Sequence, residues 1–244
     1  MTMERAHALI TGGGSGIGAA VVKLLAREGW RVAVLDLDGD AARRVAQAAG
    51  PGHLGLAVDV SREDDIATAF SKVAEAFGRI DALATCAAIL DTTPFLETKV
   101  DNFRRLHDVN VIGTFLAMRE AAKYMPRGAA ICTLSSIAGL RGGGTVGTAA
   151  YAATKGAVLA LTKTAARALS PFGIRVNCLA PGPTLTPMTE PHFPERRQQI
   201  EAAIPMGRAG TPEEIAEAIA WLLSPRSSFM DGATVVVDGG MVMH

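Results

Sequence analysis

The chain alternates between short continuous apolar runs and longer stretches in which apolar residues recur with helical spacing. The first run covers 6–11, and the stretch 16–28 that follows it repeats apolar residues every third or fourth position. The pair recurs as a run at 31–36 with a helical stretch at 40–48, then a run at 54–59 with an amphipathic stretch at 63–77. Further runs at 82–86, 130–135, 175–180 and 234–237 read as strands, and 101–125, 149–169 and 212–223 read as helices. Strands that are apolar without alternation are buried on both faces, and helical connections make them parallel. The expected fold class is α/β, a doubly wound parallel sheet with helices on both faces, in a single domain over 1–244. No internal repeat, low-complexity tract or interdomain linker breaks the pattern.

One long irregular region, 181–210, carries Pro181, Pro183, Pro187, Pro191, Pro194 and Pro205. A loop this long inside a compact domain is usually functional, and a substrate lid over about 183–210 is expected.

Composition narrows the function classes. The 244 residues are 49% hydrophobic, enough for one large domain with a substantial core. Lys+Arg and Asp+Glu are both 24, and a zero net charge argues against a nucleic-acid binder or a membrane-surface protein. No apolar run reaches the length of a membrane span, and the chain enters its first strand too early to leave room for a signal peptide. Cys86, Cys132 and Cys178 are odd in number and lie in apolar contexts, so buried thiols in a reducing cytoplasm are expected. His7, His53, His107, His192 and His244 show no metal-ligand spacing, and no catalytic metal is expected.

Two motifs carry the chemistry. Thr11-Gly12-Gly13-Gly14-Ser15-Gly16-Ile17-Gly18 follows the first strand and opens the first helix. Glycines there allow a tight turn and close approach of a pyrophosphate, and the helix N-terminus supplies amide donors and positive dipole. Asp36 ends the second strand, where a carboxylate can accept both hydroxyls of an adenosine ribose and would repel a 2′-phosphate. Leu37 and Asp38 follow it, and the glycine turn holds no Lys or Arg, which favours NAD over NADP. Asp59 and Val60 end the third strand, where an adenine edge could be met, although a strand-terminal aspartate also caps helices. Tyr151 and Lys155 lie four residues apart, one turn of a helix, on one face. An ammonium beside a phenol favours the phenolate and is expected to lower its pKa, so that Tyr151 can exchange a proton near neutral pH.

Gly12-x-x-x-Gly16-x-Gly18 with Tyr151-x-x-x-Lys155 resembles the short-chain dehydrogenase/reductase family. Asp59-Val60, Asn110, Ser135-Ser136-Ile137-Ala138-Gly139, Asn177, Pro181-Gly182 and Asp238-Gly239-Gly240 follow in the family's order. The resemblance covers essentially the whole chain and implies a Rossmann-like fold. It implies that Ser136 stabilises charge on the substrate oxygen, Tyr151 is the general acid or base, and Lys155 binds the nicotinamide ribose and depresses the tyrosine pKa. Asn110 would bend its helix and hold a water of a proton relay. Pro181, Gly182, Thr184 and Thr186 would lie against the nicotinamide, with Gly12, Ser15, Gly16, Ile17, Gly18, Asp36, Leu37, Asp59, Val60, Cys86, Ala87 and Ala88 forming the rest of the cofactor site.

Two stretches depart from the family pattern. Thr85-Cys86-Ala87-Ala88 stands where the family has Asn-Asn-Ala-Gly, so a hydroxyl and a thiol replace amides that support the central sheet. The segment from Ser136 to Tyr151 is longer than usual and carries Gly142-Gly143-Gly144, which is expected to tune substrate choice. Ser136 aligns as catalytic, with Ser135 as the fallback.

The stretches expected to face the pocket are 138–141, 145–148 and 187–193, mostly apolar through Leu140, Val146, Met188 and Phe193. They suit an uncharged secondary alcohol or ketone, while Arg141, Glu190, His192 and Arg196 leave room for a polar one. Small residues at Ala153, Ala157, Ala160 and Ala165 lie on the helix that joins subunits in relatives, so a homotetramer is expected, with a dimer as the alternative. The leading function is an NAD-dependent oxidoreductase acting on a secondary alcohol or ketone. The alternatives are an NADPH-dependent 3-oxoacyl-carrier-protein reductase and a dinucleotide sensor without turnover.

Overall fold

The computed structural model describes residues 6–143, 148–192, 194 and 196–243. Among these, seven strands form one sheet: β1 (His7–Thr11), β2 (Arg31–Asp36), β3 (Leu54–Ala57), β4 (Ala82–Thr85), β5 (Ala130–Leu134), β6 (Arg175–Pro181) and β7 (Thr234–Val237). Their order is β3-β2-β1-β4-β5-β6-β7, and each neighbouring pair is parallel. The helices are α1 (Gly16–Arg27), α2 (Gly39–Ala49), α3 (Glu63–Phe77), α4 (Val100–His107), α5 (Gly113–Ala122), α6 (Ile137–Arg141), α7 (Ala149–Leu169), α8 (Arg197–Ala202) and α9 (Pro212–Leu223).

Alternate strand residues point to opposite layers. Ile10, Val34, Ala84 and Cys132 pack with α1, α2 and α9 on one face. Leu9, Leu35, Leu83 and Ile131 pack with α3, α5 and α7 on the other. Because both faces are covered, strand positions on either side favour apolar residues, which is why the runs read as mostly apolar, with Thr133 and Asn177 among the few buried polar exceptions. Each such large side chain contributes about 1.5–3 kcal/mol on burial.

The helices start where local chemistry directs. Asp38 caps α2 by accepting from the amides of Asp40 and Ala41, so this loop aspartate has a structural task. Three acids, Glu63, Asp64 and Asp65, open α3 against its dipole. Thr211 and Glu214 form a capping box at α9, with Pro212 in its first turn.

The chain winds outward from β1 to β3 and then returns to β4 beside β1. Connections leave the carboxyl ends of β1 and β4 in opposite directions, opening a crevice between them.

Some expected elements differ. The helix expected at 101–125 is α4, a π-helical turn at Asp108–Ile112, and α5. The run at 54–59 ends as a strand at Ala57, so Asp59 lies in the following loop. The irregular 181–210 region contains the short helix α8. No helix among the described residues is long and apolar enough to cross a membrane.

Candidate active site

The glycine turn closes the crevice at β1. Gly12 has φ +65°, and a Cβ there would lie 2.6 Å from the backbone of Ala87 after β4. A Cβ on Gly18 would lie 2.1 Å from the carbonyl oxygen of Gly12. Neither position accepts a side chain without moving backbone. Gly16, at φ +51°, would direct a Cβ to within 3.4 Å of Thr186 in the lid segment, so its missing side chain leaves space between turn and lid. Ser15 is the N-cap of α1 but makes no side-chain cap bond, which leaves the first-turn amides of the helix free of a capping acceptor. Bare amides, a positive helix end and a glycine-lined gap fit a pyrophosphate.

Asp36 is held rigidly at the next strand end. Its Oδ2 accepts from the Gly14 amide at 2.9 Å and its Oδ1 from the Asp38 amide at 3.1 Å. Each carboxylate oxygen keeps a lone pair for a further donor, as a ribose diol requires. Asp59 turns one oxygen to Ser61, accepting from its amide at 2.9 Å and its hydroxyl at 2.6 Å.

At the end of β4, the Cys86 amide donates to the Thr11 carbonyl at 3.0 Å, holding the strand end beside the glycine turn. The departure from the family pattern has a cost here. The buried Thr85 hydroxyl has no hydrogen-bond partner among the described residues. Burial pushes the Cys86 thiol up to about 12, only partly offset by Lys155, and it pushes those of Cys132 and Cys178 up as well. None of the three is an activated nucleophile.

The reacting groups meet where α6 crosses α7. Ser136 caps α6, its Oγ accepting from the Ala138 amide at 3.1 Å. The helices approach so closely that a Cβ on Gly139 would lie 2.5 Å from the backbone carbonyl carbon of Lys155. Ser135 donates its hydroxyl to the Lys155 carbonyl at 2.7 Å, so it ties β5 to α7, and Ser136 is left as the serine available to a substrate. Lys155 Nζ donates to the Leu134 carbonyl at 2.8 Å and stands 5.6 Å from the Tyr151 ring centroid.

Burial dominates the titration of this cluster. It pushes the Tyr151 phenol up to about 12, with hydrogen bonding from Ser136 acting in the opposite direction. It pushes Lys155 down to about 8, partly countered by Cys178 and Cys86. The expectation that Lys155 lowers the phenol pKa therefore does not describe the chain by itself. Desolvation sets the direction of the shift, and the opposing contribution comes from Ser136 rather than from Lys155.

One cavity of about 510 Å³ joins these parts. Gly12, Ser15, Gly16, Ile17, Gly18, Asp36, Leu37, Asp59, Val60, Cys86, Ala87, Ala88, Ser136, Tyr151, Lys155, Pro181, Gly182, Thr184 and Thr186 all line it. Asn110 does not. Its Oδ1 accepts from the Ile89 amide at 2.8 Å, and its Nδ2 donates to the Ile89 carbonyl and the Thr154 hydroxyl, each at 3.0 Å. The residue sits in the π-helical turn and ties the loop after β4 to α7, which fully engages the amide donors.

The wall of the pocket also differs from expectation. Met188 and Arg141 line it but Leu140 does not, while Ile89, Leu90, Arg105, Ile200 and Met241 line it without having been singled out in the sequence. Ile89 and Leu90 continue the loop from Ala88, so extending the strand-end reading by two residues would have found them. Arg105 and Met241 carry no local signal. Thr148, expected at the pocket, instead pins the loop after β4 through its hydroxyl on the Thr93 carbonyl at 2.6 Å. Gly144, Thr145, Val146, Gly147 and Phe193 lie outside the described residues.

The chain matches the family described as Enoyl-(Acyl carrier protein) reductase over residues 12–242. It is 38% identical over 259 residues to (3R)-3-hydroxyacyl-CoA dehydrogenase of Mus musculus, spanning 100% of this chain and 98% of that protein. Sorbitol dehydrogenase of Cereibacter sphaeroides is 35% identical over 254 residues, spanning 98% of each. The crystal structure of a Brucella melitensis protein titled short-chain dehydrogenase/reductase SDR:Glucose/ribitol dehydrogenase superposes with a TM-score of 0.94 at 33% identity, covering 100% of both chains.

Proposed function

This chain belongs to the short-chain dehydrogenase/reductase family of oxidoreductases, and on that footing we propose that it transfers a hydride between NAD and a secondary alcohol or ketone, with Tyr151 as the acid/base. The observation that carries the reading is the shared cavity, which contains the glycine turn, Asp36, Ser136, Tyr151 and Lys155. Gly12, Gly16 and Gly18 would seat the pyrophosphate, Asp36 the adenosine ribose, and Pro181, Gly182, Thr184 and Thr186 the nicotinamide end. The bound nicotinamide supplies the hydride acceptor or donor.

The protein's part is proton handling and positioning. Ser136 would hold the substrate oxygen through its hydroxyl. Tyr151 would take the alcohol proton during oxidation and return it during reduction. Lys155 would engage the nicotinamide ribose and keep positive charge next to the phenol. We assign Asn110 a positioning role, since its side chain braces the Ile89 loop and α7 outside the cavity.

NAD is favoured over NADP by the carboxylate of Asp36, because a 2′-phosphate there would meet like charge. A second copy would pack on α7, where Ala153 and Ala160 are exposed and Ala157 and Ala165 half-buried. Two of these small residues are therefore not spent on the sheet and are open to one subunit contact, and the tetramer would need a second contact at the strand near Val235–Val237. The unactivated thiols are consistent with a reducing, cytoplasmic setting.

The test is nicotinamide absorbance with a panel of secondary alcohols. Tyr151→Phe should lose turnover by at least a hundredfold while still binding NAD. Asp36→Ala should relax selectivity towards NADP by at least tenfold. Binding of NAD with no turnover on a broad panel would favour the sensor, and a wild-type preference for NADP would overturn the role given to Asp36.

A further inference from the structure

A second cavity of about 360 Å³ adjoins the main one, and Ala88, Ile89, Leu90, Met188 and the exposed Arg105 line both. The second chamber adds Asp91, Asn102, Leu106 and His192. The residues shared by the two are apolar except for Arg105, and those added by the second are polar except for Leu106.

Arg105 offers donors only, and Asn102 and His192 can each supply a donor as well as an acceptor. Arg105 makes no ion pair with any described residue, although its neighbour Arg104 pairs with Asp101 at 3.2 Å. Asn102 and His192 stand in the same chamber. The acid of the chamber is not available to a ligand. Asp91 Oδ1 already accepts from the Thr93 amide at 3.1 Å and hydroxyl at 2.6 Å, and its Oδ2 is sealed from solvent with no hydrogen-bond partner among the described residues. Asp108 lines only the main cavity and does not pair with Arg105 one turn before it. Arg141 gives the main cavity a second guanidinium without an ion pair among the described residues.

Resting on the oxidoreductase reading above, we infer that the second chamber receives an anionic end of the substrate, a carboxylate or a phosphate, held by Arg105 with Asn102 and His192, while the alcohol or ketone carbon lies at Ser136 and Tyr151. A guanidinium presents paired donors in the planar fork that such oxygens match. The stretch between the two substrate ends would run along the shared apolar residues Ile89, Leu90 and Met188. This class differs from the uncharged alcohol that the sequence pointed to.

The experiment uses secondary alcohols of one skeleton whose far end is methyl, carboxylate, phosphate or trimethylammonium. With NAD, at least one anionic analogue should exceed the methyl analogue in kcat/KM by tenfold or more, and the better of the two identifies the head group. Arg105→Met should reduce that ratio at least tenfold and Arg105→Lys should restore part of it, with the melting temperature checking that each variant folds. Preference for the methyl or trimethylammonium analogue, or an anion preference that survives in Arg105→Met, would overturn the proposal. A second readout needs no turnover. Quenching of enzyme-bound NADH fluorescence by the unreactive carboxylic acid of the same skeleton should weaken at least tenfold in Arg105→Met. If that quenching behaves as stated while no alcohol turns over, the chamber stands and the hydride-transfer reading falls.

Discussion

Tyr151 and Lys155 show how an expectation drawn from residue types can be reversed by their surroundings. The ammonium was expected to bring the phenol towards neutrality, yet burial pushes the phenol up to about 12 and the amine down to about 8. Positive charge supplied by bound oxidised nicotinamide would oppose that burial. Tyr124 and Tyr151 are the chain's two tyrosines, so the phenolate is measurable by ultraviolet absorbance against Tyr151→Phe. Without cofactor, no Tyr151 step should occur between pH 7 and 10, as burial implies. Saturating NAD should bring one into that range. Lys155 has its own signature. Its folded pKa of about 8 lies below its ordinary 10.5, so between these values the unfolded chain holds more protons. Its contribution to stability therefore rises with pH across that window and is lost as pH falls through about 8. The melting-temperature difference between wild type and Lys155→Met should shift in favour of the wild type from pH 7 to 10. A constant difference would mean the ammonium is not desolvated.

The α6–α7 crossing is the element on which the site geometry turns. Gly139 and the Ser135 hydroxyl bring the backbone of β5 and α6 onto that of Lys155. Gly139→Ala should cost about 1–3 kcal/mol, the usual range for overpacking, seen as a lower Tm. It should also lower kcat by at least tenfold, because Ser136 moves with α6 and the added methyl presses on the Lys155 backbone, while the adenosine end of NAD, held at the glycine turn and Asp36, keeps affinity from falling as far. Equal losses in both would show general unfolding. The π-helical turn is the other decisive element. His107 at φ −65°, ψ −43° and Gly113 at φ −58°, ψ −41° keep ordinary helical dihedrals on either side of it. The hydrophobic pattern therefore runs through without a break, which is why 101–125 reads as one helix. What marks the turn is contact across segments: the Asn110 side chain is captured by Ile89 and Thr154, and its backbone carbonyl accepts from the Thr114 hydroxyl at 2.8 Å.

At the scale of the whole molecule, the unfinished surface is as informative as the core. Phe103, Ile112 and Phe115 on α4, the π-helical turn and α5 are exposed, as are Ala153 and Ala160 on α7. Apolar and small residues on neighbouring helices form a face suited to another copy of the chain. Sedimentation should give four times the 25.3 kDa chain mass, and Ala153→Arg with Ala160→Arg should reduce it to a dimer or monomer. An unchanged mass in the double variant would place the interface elsewhere.

Pattern and motif alone determined the parallel α/β class, most element positions, and nearly every residue around the glycine turn, Asp36 and Tyr151-x-x-x-Lys155. These follow from local rules: periodicity reports burial, and glycine, aspartate and capping residues act on their own neighbours in the chain. Tertiary structure alone decided that Asn110 bonds to Ile89 and Thr154, that Leu140 is not part of the cavity wall, and that Arg105 lines two cavities. It also decided the direction of the Tyr151 and Lys155 shifts. Contacts between distant segments and the loss of solvent around a charge depend on how the layers pack, and no spacing along the chain encodes either.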